Sequence, residues 1–142
     1  PFEKKLDPVS PETEKAIQEH SAIRFMGFQS DVRPFLVASD ALVLPSYREG
    51  FPNVVLQAGA MGLPSIVTDI NGSNEIILLN ENGVIIPSKD EEALYRAMEN
   101  FLLHPEEVER MAKKARSLIA SRYDRKVMWE ALMKTYQELI GE

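Results

Sequence analysis

Over roughly the first 88 residues, short, continuously apolar runs alternate with stretches of helical periodicity, and from there to the end only helical periodicity remains. The runs at Ala22–Met26, Ala41–Pro45, Ser65–Thr68 and Gly83–Ile86 are too short and too uniformly apolar for helices, and turn residues bound each of them. This predicts four strands of a buried parallel sheet, linked as βα units. Ser10 followed by Pro11 opens a helix running to about His20, and a second covers about Val32–Ala38, with Pro34 weakening its start. A third opens with Phe51 as N-cap and Pro52 at the first helical position and closes before the C′ glycine Gly62; Asn71–Leu79 is a shorter candidate closed by the turn Asn80–Gly83. Asp90 caps a helix through Leu103, Pro105 opens one to about Ser121, and Asp124 caps a last one to about Ile140.

The expected fold class is therefore α/β: a Rossmann-like parallel sheet flanked by helices, with a helical C-terminal extension. One domain is expected over residues 1–142, alternating over 1–88 and helical over 89–142. Four strands are few for a doubly wound sheet. The chain also opens on the polar segment Pro1–Pro8 without an initiator Met, so one or two preceding strands are expected to be missing.

Composition narrows the function classes. The 142 residues are 44% hydrophobic, and 16 Lys and Arg stand against 22 Asp and Glu, a formal charge of −6 that gives no encouragement to nucleic-acid binding. There is no cysteine, and His20 and His104 stand too far apart to suggest a metal cluster. No apolar run reaches the length of a membrane-spanning helix, which fits a cytoplasmic location.

The chemistry concentrates between Pro45 and Pro64: strand end, loop, helix, turn. Ligands of open α/β sheets bind beyond the carboxyl ends of the strands, so position alone nominates this segment. Gly50 permits close backbone approach. Phe51 offers no side-chain oxygen to the amides of Asn53 and Val54, which leaves them and the positive helix end free for an anion such as a diphosphate, or for water. Glu49 precedes the helix and Gln57 lies inside it, about 7.5 Å along the axis at about 1.5 Å per residue, so the two suit separate parts of one elongated ligand. A solvated carboxylate and a surface amide are the plainer readings of the same pair.

These residues resemble the GT-B retaining glycosyltransferases of family 4, in their C-terminal donor-binding domain. The resemblance is carried by Asp40 with Pro45-Ser46-Tyr47-Arg48-Glu49-Gly50-Phe51-Pro52-Asn53, and by Ala58, Gly62-Leu63-Pro64 and Thr68-Asp69. It extends through Asn71–Ile77, Asn82–Pro87, Met111-Ala112 with Arg116, and Tyr136. It implies transfer of a sugar from a UDP- or GDP-linked donor with retention, no cofactor and no metal. By position Glu49 is the catalytic-site contact to donor-sugar hydroxyls, and Gly50, Phe51, Pro52, Asn53 and Val54 form the donor loop. Gln57 stands where the family places a ribose-binding Glu, and Gly27 and Phe28 where it forms part of the base pocket.

Gln57 is a departure, since an amide offers one acceptor oxygen where a carboxylate accepts from both ribose hydroxyls. The other departure is the N-terminal GT-B domain, expected as a missing partner whose absence leaves the fragment inactive. The Ser46–Asn53 version resembles bacterial enzymes of capsular and surface polysaccharide assembly acting on a glycan or lipid-linked acceptor at the inner membrane face. A noncatalytic nucleotide-sugar-binding or assembly module is the alternative; the Pro45–Phe51 context disfavours a GT-B sugar epimerase.

Outside the motif, Arg110, Lys113, Lys114, Arg116, Arg122, Arg125 and Lys126 read as a solvated helical face before peripheral contact with anionic lipid. Trp129, Met133 and Tyr136 share a helix face and read as core or interdomain packing, with self-association expected if that face is uncovered. Glu75 reads equally as a dipole-favoured helix carboxylate or a donor-side residue, and the histidines as a helix end and a loop.

Overall fold

The structure is a computed structural model that describes residues 9–141, so the polar segment expected at the start of the chain lies outside it. The described residues fall into two compact units, the first ending in the chain at Val32 and the second beginning at Arg33.

The first unit carries α1 (Pro11–Glu19), which starts where Ser10 Oγ accepts from the Thr13 amide at 3.2 Å and ends at His20. The expected strand at Ala22–Met26 does not form. Among the described residues this segment joins no sheet, and Ile23, Phe25 and Met26 stay about half exposed.

The second unit opens with α2 (Arg33–Val37) and holds a parallel sheet of β1 (Leu42–Leu44), β2 (Ser65–Thr68) and β3 (Gly83–Ile86) in that spatial order. Leu42 pairs with Ser65, and Ser65 with Gly83. Among the described residues the sheet thus has three strands where four were expected. Helix α3 (Asn53–Ala60) lies in the first crossover and α4 (Ser73–Ile76) in the second; α5 (Glu91–Leu103), α6 (Pro105–Tyr123) and α7 (Arg125–Ile140) follow.

Alternation along the strands divides the core in two, as the pleat requires. Val67 packs with Val55, Ile76, Ile77 and Ile119 on the α3 side, while Ile66 and Ile86 pack with Phe101 and Met111 on the α5 side. Helix α6 contributes to both clusters, through Ile119 and Met111. Its approach to α3 is close enough that a Cβ on Gly59 would stand 2.5 Å from Ile119 Cγ1, which accounts for a glycine inside a helix.

Helix α4 is shorter than the expected Asn71–Leu79. The buried Asn82 ends it: its Oδ1 accepts from the Leu78 amide at 2.7 Å and its Nδ2 donates to the Ile76 carbonyl at 3.3 Å, while Ile77 turns extended. These bonds satisfy the groups that a continued helix would have used. Trp129, Met133 and Tyr136 are not core residues: α7 buries no side chain, and all three are more than half exposed. Among the described residues no helix is long and apolar enough to cross a membrane.

Candidate functional site

The three strands are parallel, so their carboxyl ends lie along one edge of the sheet, and the loop after β1 leads from that edge into α3. Pro52 is extended at ψ 103°, which makes it the N-cap and Asn53 the first helical residue, one position later than the sequence suggested for both. Proline has no side-chain acceptor, and no side chain caps the helix. The first bond closing the turn runs from the Val55 amide to the Pro52 carbonyl at 3.0 Å. Among the described residues no acceptor meets the amides of Asn53 and Val54, so a helix start bearing positive partial charge is presented with two donors unused.

Buried Val55, Ala58 and Gly59 fix the inner face of α3. Asn53 and Gln57, four residues apart, consequently share its exposed face, one turn from each other. Glu49 is half-buried in the loop before the helix, with Gly50 and Phe51 more exposed beside it. The structure thus places Glu49, Gly50 and Phe51 on the loop that leads into α3 and Asn53, Val54 and Gln57 on its first two turns, all at least partly exposed, while Pro52 between them is buried. Gly27 and Phe28 belong to the first unit, where Gly27 has φ 62° and Phe28 is 93% exposed.

Thr68 and Gly72, both inside segments that carry the sequence resemblance, hold this loop. The Thr68 hydroxyl, at the end of β2, donates to the Ser46 carbonyl, and Ser46 Oγ donates to the Arg48 carbonyl at 3.3 Å. The loop after β2 packs against the loop after β1 so closely that a Cβ on Gly72 would overlap the Gly50 carbonyl; Gly72 itself has φ 80° and ψ −51°. Its amide donates to Glu75 Oε1 at 3.2 Å, and Asn74 Nδ2 donates to Asp69 Oδ1 at 2.9 Å. Glu75 therefore serves as a local acceptor at the start of α4, one of its two expected roles.

On the α5 side of the same edge, a cavity of about 330 Å³ is lined by Pro45, Tyr47, Thr68, Pro87, Lys89 and Leu94 among others, and the Lys89 ammonium stands 5.7 Å from the Tyr47 ring centroid. Among the described residues no three His, Asp or Glu side chains converge as a metal site would require. Several groups of the basic stretch are bonded within the chain. Arg110 donates to the Asn80 carbonyl at 2.9 Å, Lys114 to Glu81 at 2.6 Å, and Arg122 to the Glu75 carbonyl at 2.6 Å.

A chain with this architecture has identifiable relatives. The profile of the family described as glycosyl transferases group 1 matches residues 6–104. The lipopolysaccharide core biosynthesis glycosyltransferase LpsE of Rhizobium meliloti is 31% identical over 119 residues, 84% of this chain and 34% of that protein. The N,N'-diacetylbacillosaminyl-diphospho-undecaprenol alpha-1,3-N-acetylgalactosaminyltransferase of Campylobacter jejuni is 32% identical over 119 residues, 84% of this chain and 31% of that protein. Among solved structures, HepE of Anabaena, crystallised in complex with UDP, superposes with a TM-score of 0.83 at 19% identity over 89% of this chain and 36% of that one, a likeness of fold. The chain spans about a third of the length of these relatives. Sequence profile and architecture agree over most of its length: the chain belongs to the glycosyl transferases group 1 family.

Proposed function

We propose that residues 1–142 form one partial domain, the donor-binding wall of a glycosyltransferase that moves a sugar from a UDP- or GDP-linked donor to a glycan or lipid-linked acceptor with retention of configuration. The observation that carries this reading is the uncapped start of α3, with the Asn53 and Val54 amides unused beside Glu49 at the carboxyl edge of the sheet. Two donors at a positive helix end match the diphosphate. Glu49, about a helical turn away in the chain, accepts from sugar hydroxyls, and the exposed amide of Gln57 meets the ribose. The relatives act in lipopolysaccharide core assembly and on an undecaprenol-linked sugar, which favours a role in bacterial surface polysaccharide synthesis at the inner membrane face. No metal or cofactor enters this scheme; the helix end supplies the charge stabilisation for the departing diphosphate.

Transfer also requires an acceptor held opposite the donor, and that geometry belongs to a cleft between two domains. Residues 1–142 alone are therefore expected to bind donor without transferring sugar. Calorimetric titration with UDP- and GDP-sugars is the test. Glu49→Ala should weaken donor binding by about tenfold or more, the usual range for a lost hydrogen bond to a charged group. Absence of binding to every nucleotide sugar, or sugar transfer by this chain alone, would overturn the corresponding part of the reading. Gln57 supports a second reading, a noncatalytic nucleotide-sugar-binding module, because the ribose contact lacks its carboxylate. Sugar transfer by the protein joined to an acceptor-binding domain would exclude it.

A further inference from the structure

The last turn of α6 holds the two loops that form the candidate site. Tyr123 donates its hydroxyl to the Glu75 carbonyl at 2.8 Å, and its ring meets the ring of Phe51 edge-on, with centroids 5.5 Å apart and planes inclined at 62°. Arg122 donates through Nη2 to the same Glu75 carbonyl at 2.6 Å and through Nη1 to the Ile76 carbonyl at 3.3 Å, and its guanidinium carbon lies 4.9 Å from the Tyr123 ring centroid. The carbonyls at the end of α4 thus gain partners from α6, and a cation stands at a helix C-terminus where the dipole favours it. One side chain, Tyr123, touches both the loop containing Glu49 and the segment whose Gly72 packs on Gly50.

We infer that Tyr123 and Arg122 are positioning residues for the donor loop: they hold α4 and Phe51 in the register that aims Glu49 and the Asn53 and Val54 amides in one direction. The donor role of that loop rests on the function proposed above; the bracing does not. Catalytic and binding geometry tolerates little displacement, and a loop fixed by its own backbone alone would not retain it.

Amide hydrogen exchange on the unliganded chain separates the two contacts, because hydrogen-bonded amides exist on both sides: Val55 and Leu56 after the donor loop, Asn74 and Ile76 around α4. Arg122→Met, which removes two hydrogen bonds, should speed exchange at Asn74 and Ile76 by about fivefold or more and leave Val55 and Leu56 unchanged. Tyr123→Leu should speed both sets. Tyr123→Phe, which keeps the ring against Phe51, should restore Val55 and Leu56. In parallel, titration with a panel of UDP- and GDP-sugars should show weaker binding for Tyr123→Leu and recovery for Tyr123→Phe. Equal acceleration at the central strand amides Ile66 and Val67 would mean general destabilisation and overturn the inference, as would unaltered exchange in Tyr123→Leu. Exchange changes as expected with donor binding unaltered by Tyr123→Leu would overturn the positioning role. If the unsubstituted chain binds no nucleotide sugar, the proposed function falls, and the exchange pattern still decides the brace.

Discussion

Gly72→Ala tests the close approach of the two loops at the sheet's carboxyl edge. Gly72 sits at φ 80° and ψ −51°, a backbone region costing a residue with a Cβ about 1–3 kcal/mol. Alanine also restricts the unfolded chain relative to glycine, which offsets about 0.5–1 kcal/mol of that cost. The added methyl would further overlap the carbonyl of Gly50, which is backbone and cannot rotate aside, so one loop must move. Overpacking of this kind adds about 1–3 kcal/mol. Gly62→Ala supplies the control. Gly62 has φ 85°, and a Cβ there finds its nearest neighbour, the Ala112 carbonyl oxygen, at 3.9 Å, an ordinary contact. It carries the backbone cost without the collision. In urea unfolding followed by far-UV circular dichroism, Gly72→Ala should therefore be the less stable of the two by about 1–3 kcal/mol, a midpoint difference on the order of 1 M at typical urea slopes. Equal midpoints would mean that the loops do not approach this closely, and the packing of Gly72 on Gly50 would lose its support.

The remaining predictions concern packing and pH. Gly59→Ala drives a methyl into Ile119 Cγ1 and should destabilise by about 1–3 kcal/mol, and in an Ile119→Ala background, which lacks Cγ1 and Cδ1, the same substitution should cost less in a double-mutant cycle; additive effects would contradict the packing of α3 on α6. The Lys114 ammonium bonded to Glu81, and its charge, hold the Glu81 carboxyl below the usual carboxylate range. A carboxyl lowered on folding adds stability that is fully present above the usual value of about 4.3 and is lost as pH falls through the folded value. Lys114→Met should therefore flatten the acid limb of the urea midpoint between pH 5 and 3, and an acid limb identical to that of the unsubstituted chain would count against the pair.

Sequence signals were reliable where the determining contact is local. Ser10, Asp90 and Asp124 each stand at a helix start and accept from an amide two or three residues on, so their helices were legible from single residues and their neighbours. The start of α3 was legible to within one residue because proline carries its own conformational rule. What failed depended on distant partners. Ala22–Met26 has the composition of a strand, but composition does not choose the sheet, and among the described residues the sheet is built from β1, β2 and β3. Asn71–Leu79 has helical character, and Asn82 ends the helix through two side-chain bonds that no propensity anticipates. Trp129, Met133 and Tyr136 follow the spacing of a core face, but spacing states only that the face is apolar, and α7 leaves it uncovered. The brace formed by Arg122 and Tyr123 spans 46 to 48 residues to its carbonyl partners, and nothing in the local sequence sets those arginine and tyrosine side chains apart from surface residues.

That division bears on Gln57, the position of the proposed donor site that departs from the pattern the sequence resemblance implies. Glu49 and Phe51 belong to a loop held from three directions, by Thr68, by Gly72 and by Tyr123, so a change there disturbs the frame as well as the ligand contact. Gln57 lies outside that frame. It is exposed on α3, and among the described residues no side-chain hydrogen bond involves it. Replacing it alters an exposed side chain outside the frame, and exposed substitutions away from special features stay within about 0.5 kcal/mol of the starting stability. Gln57→Glu should therefore leave the urea midpoint in place while tightening nucleotide diphosphate binding in calorimetry, through a second acceptor for the ribose hydroxyls. A shifted midpoint would show that Gln57 is structural after all. An unchanged midpoint with unchanged or weaker affinity would remove the ribose contact from this residue, leaving the helix start and Glu49 as the whole of the donor site on this chain.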